Sequence, residues 1–162
     1  MEEKGVDYDL VEIDFIGGGM PEEHLARHPF GKVPAFEHDG LMLYETSAIM
    51  RYVDEAFDGP SLQPSDVAAR ARMTQIISVI DSYTYPRTIG DLVIQRLVQP
   101  MLGGTADESI IEAAVPEVDK SMREFERMLG DHEYLVGSTL SLARSEEHTS
   151  ELQSQFRISY AV

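Results

Sequence analysis

The residues best placed to do chemistry lie between His28 and Thr46, in the stretch HPFGKVPAFEHDGLMLYET. Lys32 brings a cation. Val33-Pro34 comes after a Gly-Lys loop and is the kind of peptide bond that admits a cis form. Glu45, Thr46 and Ser47 bring an acid and two hydroxyls to the opening of an apolar-periodic helix. A small ligand would bind here. Each residue also has a plainer role, with Pro34 shaping a turn, Lys32 solvated, and Glu45-Thr46 forming a helix cap with a dipole-stabilising acid. With no cysteine there is no disulfide framework, no thiolate metal site and no cysteine nucleophile. The five histidines are read as unpaired at metal-ligand spacing, so no metal is expected.

The elements that must hold this stretch are set by the pattern around it. Pro34 sits where a strand begins, a position at which proline removes no ladder hydrogen bond. His38-Asp39-Gly40 is a turn signal between two short apolar runs, which predicts an antiparallel hairpin. Ahead of it, Met1 to Lys4 with Gly5 reads as a helix end. Val6 to Phe15 alternates like a half-buried strand closed by Gly17-Gly18-Gly19, and Pro21 opens a short helix to about Arg27. After the hairpin, Ile49, Met50, Val53, Ala56 and Phe57 recur at helical spacing until Asp58-Gly59-Pro60.

GPSLQPS, residues 59–65, is the best linker in the chain, with an α/β arrangement before it and almost pure helix after it. Ser65 or Asp66 caps a long helix with a stripe of Val67, Met73, Ile76, Ile77, Ile80 and Tyr83, which Pro86 should kink or break. Asp107 caps another, whose predicted apolar face is Ile111, Val115, Val118, Met122, Phe125 and Leu129. Pro116 inside that helix predicts a bend, and Gly130 ends it.

Among the 162 residues, 29 acidic side chains against 13 basic ones give a net charge of −16. That field repels phosphate backbones and anionic lipid, so neither nucleic acid nor membrane is an expected partner. No apolar run would span a bilayer and no signal peptide is evident, so a cytoplasmic location is expected.

G-K-V-P-A before a hairpin, Y-E-T-S-A-I opening a helix, a proline-rich linker and then helices together resemble the cytosolic glutathione transferases, specifically bacterial-type members. Asp81 to Tyr85, Gln95-Arg96-Leu97, Asp107-Glu108, Tyr134-Leu135-Val136-Gly137 and Leu140 to Ala143 extend the match over roughly residues 2–143. The resemblance implies a thioredoxin-like α/β domain (1–58) that holds glutathione, a linker (59–65) and an all-helical domain (66–143). It implies that the Val33 backbone exchanges hydrogen bonds with the cysteinyl part of glutathione beside cis Pro34. Glu45 would accept from the γ-glutamyl ammonium, Thr46 and the helix N-terminus would meet its carboxylate, and Lys32 would reach the glycyl carboxylate. Tyr83 and Arg87 are candidates for the electrophile pocket.

The implied activity is conjugation of the glutathione thiolate to an electrophile, with glutathione as co-substrate. The complete parent would be a homodimer through Ser47 to Phe57 and the helix from Asp66. The family's catalytic Tyr, Ser or Cys lies on a segment ahead of this chain's Met1, so no catalytic residue is assigned and the chain reads as an inactive fragment with both domains incomplete. Residues 144–162 read as a non-native tail, since RSEEHTSELQS (144–154) resembles a translated sequencing adapter. A non-catalytic scaffold of the same fold is the alternative, as is a glutathione-dependent isomerase or dehalogenase.

Overall fold

In the computed structural model, which describes residues 1–13 and 19–143, Asp39 and Gly40 both take positive φ, 50° and 80°. That is the conformation a two-residue hairpin loop needs to match the right-handed twist of its strands. The turn joins β1 (Ala35–His38) to β2 (Leu41–Tyr44) as an antiparallel pair, in a register running from Ala35 opposite Tyr44 to His38 opposite Leu41. Helix α1 (Glu22–Arg27) precedes the hairpin and α2 (Thr46–Ala56) comes directly after it. Pro21 lies just outside α1 with extended ψ, not at its first helical position as predicted. Behind the hairpin, His38 shares a 2.8 Å hydrogen bond between Nδ1 and the Tyr52 hydroxyl, and its ring lies 4.6 Å from Phe57. The strands are thereby tied to α2.

The predicted strand over Val6 to Phe15 is not formed in its described part, 6–13. These residues carry no ladder, and Val11 is 76% exposed. A strand is stabilised by its cross-strand neighbours, and the two-stranded sheet of the described residues offers this segment none. The remainder of that predicted strand and its glycine stop, Asp14, Phe15, Gly17 and Gly18, lies outside the described residues, as do 144–162.

What closes this part of the chain is a buried ion pair. Glu2–Lys4 forms one 3-10 turn, ended by Gly5 in the left-handed conformation as its sequence predicts. That turn delivers the Lys4 ammonium to the Asp54 carboxylate at 3.2 Å, to the Asp54 carbonyl at 2.8 Å and to the Pro60 carbonyl at 3.1 Å. All three ammonium protons thus have acceptors. Asp54 also accepts from the Leu62 backbone N–H at 2.8 Å and from the Gln63 side chain at 3.2 Å. Burial pushes the Asp54 carboxyl up, but the Leu62 N–H, Lys4 and Gln63 outweigh it and hold it below the ordinary carboxylate value.

The chain clusters into two compact units, the first ending at Gln63 and the second beginning at Pro64. The second is helical. Asp66 caps α3 (Val67–Val79) by accepting from the Ala69 N–H at 2.8 Å. Pro86 does not break the helical winding. The chain widens into π-helical turns over Ile80–Thr84 and Pro86–Val98, then returns to α in α4 (Gln99–Met101). The wider winding passes the Tyr85 N–H back five residues to the Ile80 carbonyl, and the Thr84 hydroxyl donates to the Val79 carbonyl at 3.5 Å. The proline is thus accommodated within wider helical turns rather than ending the helix.

Asp107 caps α5 (Glu108–Leu129), accepting from the Ser109 N–H at 2.9 Å, and the helix runs through Pro116 to stop at Gly130. Its buried residues are Ile111, Ala114 and Ser121, while Val115 and Met122 are exposed. The buried face is rotated from the predicted one and carries the small side chains Ala114 and Ser121. Likewise Met73, Ile76, Ile77 and Ile80 are buried as predicted, but Val67 and Tyr83 at the ends of that stripe are exposed.

The ion pair can be tested in two ways. Asp54→Ala leaves the buried Lys4 without its counter-charge and should destabilise the fold by about 3–5 kcal/mol in urea denaturation. The unfolded Asp54 carboxyl titrates near about 3.9 and the folded one lower, so its contribution is present in full above that pH and is lost as pH falls through the folded value. Denaturation midpoints measured down to pH 3 should therefore decline in the wild-type chain and decline less in the alanine variant. Separately, Gly59 has φ +121°, and a Cβ there would stand 3.0 Å from the Lys4 carbonyl oxygen. Gly59→Ala should lower stability by about 1–3 kcal/mol.

Candidate functional site

The hairpin register decides which sequence-predicted residues come together. With Ala35 opposite Tyr44, the residues that immediately precede β1, Val33 and Pro34, lie at the same end of the hairpin as those that come immediately after β2, Glu45 and Thr46. The Val33-Pro34 peptide is cis. Val33, Pro34 and Thr46 are half-buried, while Lys32 and Glu45 are exposed. The register thus brings the Val33-Pro34 backbone, the N-terminus of α2 and the acid Glu45 to one end of the hairpin, with the cation Lys32 next to Val33 in sequence.

Glu45 is the unusual residue of the group. Its φ is +71°, and among the described residues only it and the turn residue Asp39 take positive φ without being glycine. Holding such a conformation costs on the order of 1–3 kcal/mol. A capping role would offset this, but the Glu45 side chain makes no capping hydrogen bond to α2; only its carbonyl enters the helix, accepting from Ala48 at 3.0 Å and Ile49 at 3.1 Å. The plain reading of Glu45 as a helix cap therefore fails. Glu45 is exposed and its side chain caps none of the first-turn amides of α2, which leaves its carboxylate accessible.

The loop before Val33 is held from beneath by α1. His24, 3% exposed, hydrogen-bonds through Nε2 to the Lys32 carbonyl at 2.7 Å. His28, 2% exposed, stacks on His24 with ring centroids 6.1 Å apart and lies 4.9 Å from the Tyr44 ring. His28 stands one residue past the end of α1 with extended backbone, and the sequence reading did not single out His24. The available signal was their spacing of four, a spacing that metal-binding pairs also use, so the reading of the histidines as unpaired at such spacing does not hold for these two; the rings meet although His28 stands just beyond α1. Among the described residues no group of three or more potential ligands could hold a metal ion.

The residues assigned to the electrophile lie in the second unit. Tyr83 is 67% exposed. Arg87 is engaged with Asp91 on its own helix at 2.8 Å, a contact that raises the guanidinium's already high pKa.

Against known proteins, the family model described as "Glutathione S-transferase, N-terminal domain" matches residues 1–55. The chain is 33% identical over 162 residues to glutathione S-transferase 1 of Zea mays, a match covering 99% of this chain and 75% of the relative. Among solved structures it is similar to glutathione transferase F7 from Populus trichocarpa, with a TM-score of 0.83 at 29% identity over 94% of this chain and 73% of that one. It is also similar to a glutathione S-transferase I from mais in complex with an atrazine glutathione conjugate, with a TM-score of 0.80 at 32% identity over 98% and 74%. These relatives are plant proteins, so the bacterial-type label gains no support from them, nor does the adapter origin of residues 144–154. The small α/β unit and the helical unit are thus the thioredoxin-like and helical parts of one known fold, and the chain belongs to the glutathione S-transferase family.

Proposed function

We propose that the chain binds glutathione at the end of the hairpin where Val33-Pro34 meets Glu45-Thr46, as the co-substrate of a transferase that joins its thiolate to an electrophile. The observation that carries this is the register of β1 on β2, which brings the Val33-Pro34 backbone to the same end of the hairpin as an acid at a helix N-terminus that makes no capping hydrogen bond. Glutathione is a tripeptide with two carboxylates and one ammonium. It needs amide groups along its middle, a cation or amides at each carboxylate, and an acid for its amine. Val33 supplies backbone hydrogen bonds to the cysteinyl part, as an added strand does. Glu45 accepts from the γ-glutamyl ammonium, Thr46 and the α2 amides meet the adjacent carboxylate, and Lys32 meets the glycyl carboxylate as a point charge. Tyr83 and Arg87 belong to this reading as the electrophile side.

The family supplies activation of the sulfur through a hydroxyl or thiol that lowers the pKa of the thiol. No residue among those described is assigned that role. The reading treats 1–58 as the glutathione-binding domain, 59–65 as the linker and 66–143 as the helical domain. It includes a homodimer, a cytoplasmic location, and an adapter origin for 144–154 that rests on that string alone. An unbroken RSEEHTSELQS at the genomic locus would sink this last point.

Calorimetric titration of the chain with reduced glutathione tests the central claim. Glu45→Gln keeps the shape of the side chain and removes its charge, and should weaken binding about 10- to 100-fold, the range for a lost charge-assisted hydrogen bond. Equal affinity in the variant would remove Glu45 from the site. No binding by the wild-type chain would remove the site itself.

A further inference from the structure

We propose that His24 is a positioning residue for the Val33 amide. The Lys32 carbonyl and the Val33 N–H belong to one peptide unit, which is planar and trans in its ordinary form, so the two groups point in opposite directions. Whatever fixes the carbonyl aims the N–H. Here the carbonyl is met by His24 Nε2 at 2.7 Å. A carbonyl cannot donate, so Nε2 is the donor and carries the proton, and the partner sets the tautomer.

The anchor is rigid for three reasons. His24 is 3% exposed and stands in α1, and its ring is backed by His28, with the planes inclined at 25°. The chain between α1 and Lys32 is wound tightly, with the His28 N–H on the His24 carbonyl at 2.8 Å and the Gly31 N–H on the His28 carbonyl at 2.9 Å. Gly31, at φ +61°, lies so close to α1 that a Cβ would stand 3.2 Å from Leu25 Cδ2. A hydrogen bond on one side of a peptide also polarises the other side. His24 therefore both aims the Val33 N–H and strengthens it as a donor. This role rests on the glutathione reading above, in which Val33 is the residue that meets the cysteinyl part of the ligand.

The test compares the wild-type chain with His24→Phe, which keeps a ring but loses the donor, and His24→Gln, whose amide nitrogen restores a donor at similar reach. Titration with reduced glutathione should show affinity about 3- to 10-fold lower in H24F and within about twofold of wild type in H24Q, the scale of one neutral hydrogen bond. Rescue by glutamine separates positioning from simple packing, which glutamine replaces poorly. Binding by wild type that is unchanged in H24F overturns the positioning role and leaves the glutathione reading standing. No binding by wild type overturns both. A measurement on the unaltered chain holds whether or not the variants fold: nitrogen-15 shifts of the His24 ring at neutral pH should report a protonated Nε2, and a bare Nε2 overturns the proposal.

Discussion

The Lys4–Asp54 pair is the contact on which the first unit depends. Two opposite charges, almost wholly withdrawn from water, are tolerable only if every proton and lone pair finds a partner. Here the ammonium meets three oxygens and the carboxylate collects two further donors, from Leu62 and Gln63. The pair joins three places distant in sequence: the first turn, the last turn of α2 and the chain from Pro60 to Gln63. Gly59 suits its place because a Cβ there would stand 3.0 Å from the Lys4 carbonyl oxygen and its φ is +121°. By holding α2 in place, the pair also holds the N-terminus at which Glu45 and Thr46 sit.

From that anchored helix the site is built in two steps. The Asp39-Gly40 turn permits one register, and that register brings the segment before β1 alongside the segment after β2. Glu45 then takes a backbone conformation that a chain avoids unless the surrounding structure enforces it. Since its side chain does not cap α2, the strain has no local structural return. Binding is the function that would account for it. His24 completes the arrangement from the other side, meeting the carbonyl of the peptide that carries the Val33 N–H.

Much of this was legible without coordinates. Asp-Gly between two short apolar runs announces a hairpin, Asp66 and Asp107 announce helix starts, and Gly130 announces a stop; each depends on local backbone preferences that a few residues determine. The order G-K-V-P-A, hairpin, Y-E-T-S-A-I, linker and helices was enough to identify the family. The errors have a common cause. Val6 to Ile13 alternates like a strand, yet a strand is realised only against a neighbour. Pro86 reads as a breaker, yet wider helical turns absorb it. Val115 and Met122 read as core, yet the buried positions on that helix are Ile111, Ala114 and Ser121.

The sequence by itself determined most of the local elements and the family, and it is the source of the residues proposed for glutathione, because those are read from short segments and their order. Tertiary structure decided what lies far apart in the chain. Nothing in Met1 to Lys4 announces a partner fifty residues away, and nothing in His24 announces the Lys32 carbonyl. Nor does a Glu before a helix reveal that it will decline to cap it. Those outcomes depend on burial and on competition among donors and acceptors, which exist only once the chain has closed on itself.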